Sequence, residues 1–309
     1  MLSRGSKSRA YFAIVLLLCS TSVPLMPIAA KRCRLVFRKL ERDLEKLAAQ
    51  QSNETVHRFR TSTRRLQTLL EELMPQRTRK EKKLLKMLRN VRKQAGKVRD
   101  LDMQLAALRS LKIPLEPRRQ TRLLEGLLEL RARHEKKLRK TLTKETVREI
   151  HKQLTRASKE IDLKSSSDPA TAARQILSRV ATPGKPLTED ALHRCRLLVK
   201  RARYAAELAP ESAAATQFIT QLKRLQDILG NWHDWLTLTN TAAERLGDVN
   251  QSPLVAVLHN MASGKFRQAV AAVAALSTLR TGPKPVPLTP SRKPGARMAT
   301  PTLREDPAA

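Results

Sequence analysis

The chain has 309 residues, with 61 Lys and Arg against 28 Asp and Glu and a formal net charge of +33 at pH 7. Hydrophobic residues make up 41% of it, enough for a core, and the scarcity of glycine and of β-branched runs predicts an all-α protein. A charge this large repels itself and favours a polyanionic partner, which makes a merely well-solvated surface a poor explanation of it.

Residues 1–30 have the pattern of a secretory signal or a membrane anchor. A basic start is followed by an uncharged segment with the apolar centre YFAIVLLLC, and small residues precede Lys31. The strongly apolar run is too short to span a bilayer by itself. The alternative is an unstructured leader on a cytoplasmic protein. We therefore expect an exported or membrane-anchored protein if the leader is a signal, and otherwise a cytoplasmic one.

From residue 31 to about residue 279 the sequence has helical periodicity, interrupted by short loops. Asn53 and Thr188 are suited to cap the helices that follow them. After residue 282 the composition shifts to Pro, Thr, Lys and Arg, which predicts a disordered basic tail over residues 282–309. The predicted helices occupy residues 31–50, 54–74, 78–110, 118–142, 145–161, 171–181, 189–209, 213–246 and 253–279.

The helical region contains an internal repeat. VHRFRTSTRRLQ is matched by LHRCRLLVKRAR at an offset of 136 residues, and VRKQAGKVRDL is matched by LQDILGNWHDW at an offset of 134. Gly96 and Gly230 occupy matched places in mid-helix, which predicts the close approach of another backbone at each. We expect two similar helical bundles, about residues 31–163 and 168–281, in a pseudo-two-fold arrangement.

Each repeat has one helix with a cationic strip opposite an apolar side. At about 100° per residue, the strip of the first helix holds His57, Arg60 and Arg64. Arg offers a planar fork for phosphate oxygens, Lys a point charge, and His a donor that is cationic below about pH 6.5. A row of such groups at one-turn spacing suits a ligand with regularly spaced negative charge. The strip of the second helix holds His193, Arg196, Lys200 and Arg203.

The next long helix of each repeat adds further polar residues on a shared face. Arg89 shares a face with Asp100 in the first repeat, and Lys223 shares one with Asp234 in the second. We interpret the two aspartates as positioning residues for neighbouring cations, although ion pairs at the surface would have the same pattern.

Four segments in order, VHRFRTSTRRLQ, GKVRDLD, LHRCRLLVKRARYAAEL and LKRLQDILGNWHD, resemble the CHAD family, the conserved histidine α-helical domain. The resemblance implies a CHAD domain over residues 31–281, two four-helix bundles with pseudo-two-fold symmetry, and a central basic surface that binds inorganic polyphosphate. We expect no catalysis and no cofactor. A cytoplasmic member would be found with polyphosphate granules. The polyphosphate ligands that the resemblance and the matched helix faces suggest are His57, Arg60, Arg64, Arg65, Arg89, His193, Arg196, Lys200, Arg203, Tyr204, Lys223 and His233.

Two departures from the family pattern concern the first repeat. Gln67 stands where the family usually has Arg, and Arg99 takes the place that His233 holds in the second repeat. Ligand binding is therefore expected to lean toward the second half.

Two other function classes stay open. A nucleic-acid-binding protein would explain the charge and the basic tail, but aromatic residues are only 3% of the chain and offer few platforms for stacking bases. A metal-dependent phosphohydrolase is suggested by His233 and Asp234, yet such a site needs further converging ligands, so no metal site is predicted. The sequence predicts no specific protein partner.

The leader makes a testable prediction about the mature protein. If residues 1–30 are a signal, N-terminal sequencing of the native protein will give a chain that begins near Lys31. A chain that retains Met1 in a soluble cytoplasmic fraction would contradict export.

Overall fold

The computed structural model describes residues 30–74, 76–111, 117–161, 166–180 and 187–280. The described residues form nine α-helices and no strand, which confirms the predicted all-α class. None of these helices combines the length and the apolar character that crossing a membrane requires. The predicted tail and all but the last residue of the predicted leader lie outside the described residues. The helices are α1 (Ala30–Ala49), α2 (Asn53–Thr68), α3 (Arg79–Ser110), α4 (Pro117–Thr141), α5 (Lys144–Glu160), α6 (Pro169–Ser178), α7 (Glu189–Ala206), α8 (Ala213–Leu246) and α9 (Pro253–Arg280).

Side-chain oxygens cap the two helices that carry the cationic strips. Thr188 caps α7 as predicted, by accepting a hydrogen bond from the backbone N–H of Ala191 at 3.2 Å. The cap of α2 is Ser52, which accepts from the N–H of Thr55 at 3.2 Å. Asn53 is the first residue of the helix, so the predicted cap was wrong by one position.

The end of α2 widens into a π-helical turn, Leu69–Leu73, before the chain becomes extended at Met74. Its leucines Leu69, Leu70 and Leu73 are fully buried. The wider turn lets two consecutive leucines face the core, which a regular 3.6-residue turn does less well.

The buried side chains form three hydrophobic clusters. The first joins α1, α2, α5 and the N-terminal part of α3 around Phe37 and Phe59. The second joins α6, α7, the N-terminal part of α8 and the C-terminal part of α9 around Trp232. The third joins α4 and the remaining parts of α3, α8 and α9. The long helices α3, α8 and α9 thus enter two clusters each, and the division into two symmetric four-helix bundles stays a prediction.

The two cationic helices, α2 and α7, pack against each other between the first and second clusters. Two ion pairs cross this contact in opposite directions. Arg65 Nε donates to Glu207 Oε2 at 2.7 Å, and Arg201 Nη2 donates to Glu71 Oε2 at 3.0 Å. The two arginines are 136 residues apart, and so are the two glutamates. The two ion pairs are therefore related by the sequence repeat, and together they join the cationic helices.

A cationic cleft between the two repeated helices

A cleft of about 650 Å³ opens where α2 and α7 meet, with α3 and α8 along its sides. Three aspartates line it, Asp100, Asp227 and Asp234, against ten basic side chains. The cleft is therefore strongly cationic, and ligands of negative charge are favoured in it. The basic side chains that line it are Lys39, Arg58, Arg60, Arg64, Arg65, Arg99, Arg196, Lys200, Arg203 and Lys223.

Three cations of the cleft, Arg64, Arg196 and Lys200, repel one another and lack a counter-charge in contact with them among the described residues, and we call them the central cations. Arg196 Nε is buried and has no hydrogen-bond partner in the described part of the chain. Within the same ranges, Arg64 and Lys200 make neither a hydrogen bond nor an ion pair. Burial and the nearby charges of Arg196 and Arg64 lower the pKa of Lys200 to about 7. The pKa of Arg196 is lowered as well, by burial above all. Gathering these cations without a contacting carboxylate therefore costs folding free energy.

Arg60 enters the cleft over a glycine. A Cβ atom on Gly96 of α3 would overlap the guanidinium of Arg60, and the Arg60 Nη2 atom lies 3.7 Å from Asp100 Oδ1. Asp100 thus contacts a cation of the cleft, as a positioning residue would. The predicted close approach of a backbone was wrong, because Gly96 accommodates a side chain and a Cβ on Gly230 would meet nothing within 4 Å.

A second group of cations in the cleft is held by neighbouring side chains. Arg65 and Arg203 both bind the carboxylate of Glu207, and Arg203 Nε also donates to Gln226 Oε1 at 2.8 Å. The guanidinium of Arg203 lies over the ring of Tyr204, 4.6 Å from its centroid. The Tyr204 side chain is only 5% exposed. These contacts fix the orientation of the Arg65 and Arg203 forks at one side of the cleft.

The remaining predicted residues of the cleft line it from α2 and α8. His57 lines the cleft, and its pKa is lowered by burial first and then by Arg99, so its imidazole is neutral at neutral pH. Lys223 lines the α8 side together with Asp234. The carboxylate of Asp234 lies 3.6 Å from His233 Nδ1.

Three of the predicted ligands are not among the residues that line the cleft. Arg89 is exposed, and its Nη2 atom lies 3.8 Å from Glu71 Oε1. His193 and His233 lie against each other, with ring centroids 5.4 Å apart and a tilt of 34°. Burial and the neighbouring His233 lower the pKa of His193. Their part in ligand binding stays a prediction.

The structure adds lining residues that the sequence analysis did not select. Lys39 comes from α1, outside the repeated segments, so no matched position pointed to it. Arg99 lies at the position matched with His233 and bonds to the side chain of Asn53. The repeat register alone could have selected Arg99 as a candidate ligand.

Among the described residues, no three His, Cys, Asp or Glu side chains are grouped so that they could hold a metal ion. The same holds around His233 and Asp234, the pair that suggested a metal-dependent phosphohydrolase.

The described residues thus form an all-helical fold around a strongly cationic cleft. Residues 31–243 match the family model of the CHAD domain, and the chain belongs to the CHAD family. This confirms the family resemblance of the sequence.

Two solved structures have the same fold. The crystal structure of the CHAD domain from the plant Ricinus communis is 17% identical, with a TM-score of 0.60 over 85% of this chain and 96% of that one. PptA from Streptomyces chartreusis is 19% identical, with a TM-score of 0.59 over 83% of this chain and all of the other, 100%. No curated protein matches the chain.

The depressed pKa of Lys200 predicts that its charge destabilises the empty protein. Its pKa is about 7 in the folded chain against an ordinary value of 10.5, so the unfolded chain binds more protons between these two values. Stability linked to this group is lowest below about pH 7 and rises toward about pH 10.5. A Lys200→Met variant should therefore be more stable than the wild type at about pH 6, by about 1–3 kcal/mol, and the difference should shrink at about pH 9.

Chemical denaturation at the two pH values measures this difference. The matched control is Lys152→Met on α5, which removes an exposed lysine and should change stability by about 0.5 kcal/mol or less. A Lys200→Met protein that is less stable than the wild type at low pH would show that the ammonium is not under electrostatic strain.

Proposed function

We propose that this CHAD protein binds inorganic polyphosphate, without transforming it, in the cleft between α2 and α7. The family includes polyphosphate-binding proteins. The observation that carries the proposal is the group of central cations, Arg64, Arg196 and Lys200, which are gathered in a partly buried place without contacting carboxylates. Such a group is unfavourable when empty and becomes favourable when an anion supplies the missing charge and hydrogen-bond acceptors.

The spacing of the cations favours an extended anion with repeated charges. Arg196, Lys200 and Arg203 follow one another along α7 at intervals of four and three residues, which is about 4.5–6 Å along the helix axis. Arg60 and Arg64 provide a second row on α2. A linear chain of phosphates carries negative charge at every unit and can engage both rows at once. A single phosphate would satisfy only part of them.

The cleft offers phosphate contacts but little surface for stacking bases. Among the described residues that line it, Tyr204 is the one Phe, Tyr or Trp side chain. Its ring is almost buried and is covered by the guanidinium groups of Arg203 and Arg65. Single-stranded nucleic acids gain affinity by stacking bases on open aromatic rings. Polyphosphate therefore fits the cleft better than nucleic acid does.

Removing two central cations should weaken polyphosphate binding strongly. The variant Arg196→Gln/Lys200→Gln keeps good helix formers on α7 but removes two charge-assisted contacts at the centre of the cleft. The affinity for polyphosphate, measured by calorimetric titration, should fall roughly ten- to a thousandfold.

The matched control is Arg148→Gln/Lys152→Gln. It removes the same two residue types at the same four-residue spacing, from the exposed face of α5. If this control loses as much affinity as the cleft variant, binding follows the total charge and the cleft is not the site. Competition between polyphosphate and single-stranded RNA at equal phosphate concentration tests the alternative, because a nucleic-acid-binding protein would prefer the RNA.

Filling the space beneath Arg60 should lower the affinity for polyphosphate without lowering the stability of the fold. The methyl group of a Gly96→Ala variant would displace the Arg60 guanidinium, while alanine favours the helix by up to about 1 kcal/mol. We expect a protein of similar or higher thermal stability whose polyphosphate affinity is lower by about three- to tenfold.

Gly264→Ala on α9 is the control for this variant, because a Cβ there meets nothing within 4 Å. It should gain helix stability and bind polyphosphate like the wild type. Unchanged affinity in the Gly96→Ala protein would show that the position of Arg60 does not matter for the ligand.

A further inference from the structure

A second pocket, of about 420 Å³, lies beside the cleft. It is formed by the C-terminal part of α2, by Arg92 of α3, and by one side of α7 from Arg194 to Tyr204. Four arginines line it, and its described lining contains no carboxylate. These arginines are Arg64, Arg92, Arg194 and Arg201.

The four arginines of the second pocket differ in whether a neighbouring side chain binds them. Arg201 pairs with Glu71 and with Glu72, and Arg92 donates to the side chain of Gln67. Arg194 is exposed, and within the described part of the chain it has no hydrogen bond or ion pair. Within the described residues, the second pocket therefore contains two guanidinium groups that are open to an incoming anion, on Arg194 and Arg64, beside two that are oriented by their partners.

The second pocket continues the cleft. Arg64 and Tyr204 line both, so a ligand that contacts Arg64 in the cleft lies at the entrance to the second pocket. Arg64 makes no hydrogen bond or ion pair in the described ranges, so its guanidinium is available on either side. The cationic surface is thus unbroken from one cavity to the other.

The repeat relates the second pocket to one side of the cleft. Residues 136 positions from Arg194 and Arg201 are Arg58 and Arg65, which both line the cleft. Arg64 corresponds in the same way to Lys200. If the set in the cleft binds phosphate, the matched set in the second pocket offers cations at the same positions, with Arg64 where the cleft has Lys200.

The second pocket is the less polar of the two. Leu197 and Leu198 line it where the matched positions in the cleft have Thr61 and Ser62. Leucine supplies no hydrogen bond to phosphate oxygens, so binding in the second pocket depends on its arginines. We expect it to add to the affinity of a ligand already held in the cleft and to bind weakly by itself.

We infer that a long linear polyphosphate runs from the cleft across Arg64 into the second pocket, and that short phosphate oligomers occupy the cleft alone. This inference rests on the function proposed above. It makes the second pocket a selector of chain length, because only a chain that extends past Arg64 reaches Arg194.

The test compares Arg194→Glu with Arg148→Glu, a charge reversal at an exposed arginine of α5 that lines neither cavity. Both change the net charge by the same amount, so an effect of total charge alone is the same in the two proteins. We expect Arg194→Glu to bind long-chain polyphosphate about three- to thirtyfold more weakly than Arg148→Glu does. Tripolyphosphate should bind to both variants with affinities within about twofold of each other.

The long-chain comparison decides the inference. Equal long-chain affinities of the two variants would overturn the path through the second pocket while leaving the cleft as the binding site. An equal additional loss for tripolyphosphate in Arg194→Glu would overturn the selection by length. Failure of the wild-type protein to bind any polyphosphate would overturn the proposed function and this inference together. Thermal melting of each variant checks that it is folded.

Discussion

The enforced proximity of like charges at the contact between α2 and α7 is the constraint on which the rest of the structure depends. Each helix has an apolar side that packs into its own hydrophobic cluster, so its cationic strip faces the other helix. Coulombic repulsion and lost hydration oppose this arrangement. The hydrophobic clusters and the crossed pairs of Arg65 with Glu207 and Arg201 with Glu71 hold it in place.

The acidic residues contact the outer cations of the helix contact and orient them. Within the described ranges they do not contact the central cations, which keep their positive charge uncompensated. Glu207 and Glu71 bind arginines at the flanks of the helix contact, and Asp100 contacts Arg60 from α3. No carboxylate contacts Arg196 or Lys200 in the described part of the chain, and both receive only longer-range attraction, Arg196 from Asp234 and Asp100 and Lys200 from Asp234. Positive charge thus stays concentrated between the repeated helices, where a bound anion would be partly shielded from water and its attraction to the cations correspondingly stronger.

Much of the fold could be predicted from the sequence, because long helices with one apolar face have a clear period. The repeat also identified most of the cleft, since matched cationic strips on two amphipathic helices must face similar surroundings. The prediction failed where geometry depends on single contacts. Ser52 caps α2 in place of Asn53, and Gly96 makes room for Arg60, which no spacing pattern indicates.

Other features could not be predicted from the sequence because they depend on how the helices pack in three dimensions. The third hydrophobic cluster arises because α3 and α8 extend beyond the first two, and helix length alone does not reveal which partners cover each end. Lys39 reaches the cleft from outside the repeat, and His193 and His233 contact each other at a tilt and are not among its lining residues. Side chains on one helical face can still diverge when neighbouring helices cover only part of that face.

The most direct test of the central claim is the number of protons taken up when polyphosphate binds. Calorimetric titrations in buffers of different ionisation enthalpy measure this number. At about pH 8 the amine of Lys200 is mostly neutral in the empty cleft, since its pKa is about 7, and a bound anion should restore its charge. Uptake should approach one proton in the wild type and be lost in a Lys200→Gln variant. Tight binding with the same proton uptake in both proteins would show that polyphosphate does not supply the missing counter-charge at this site.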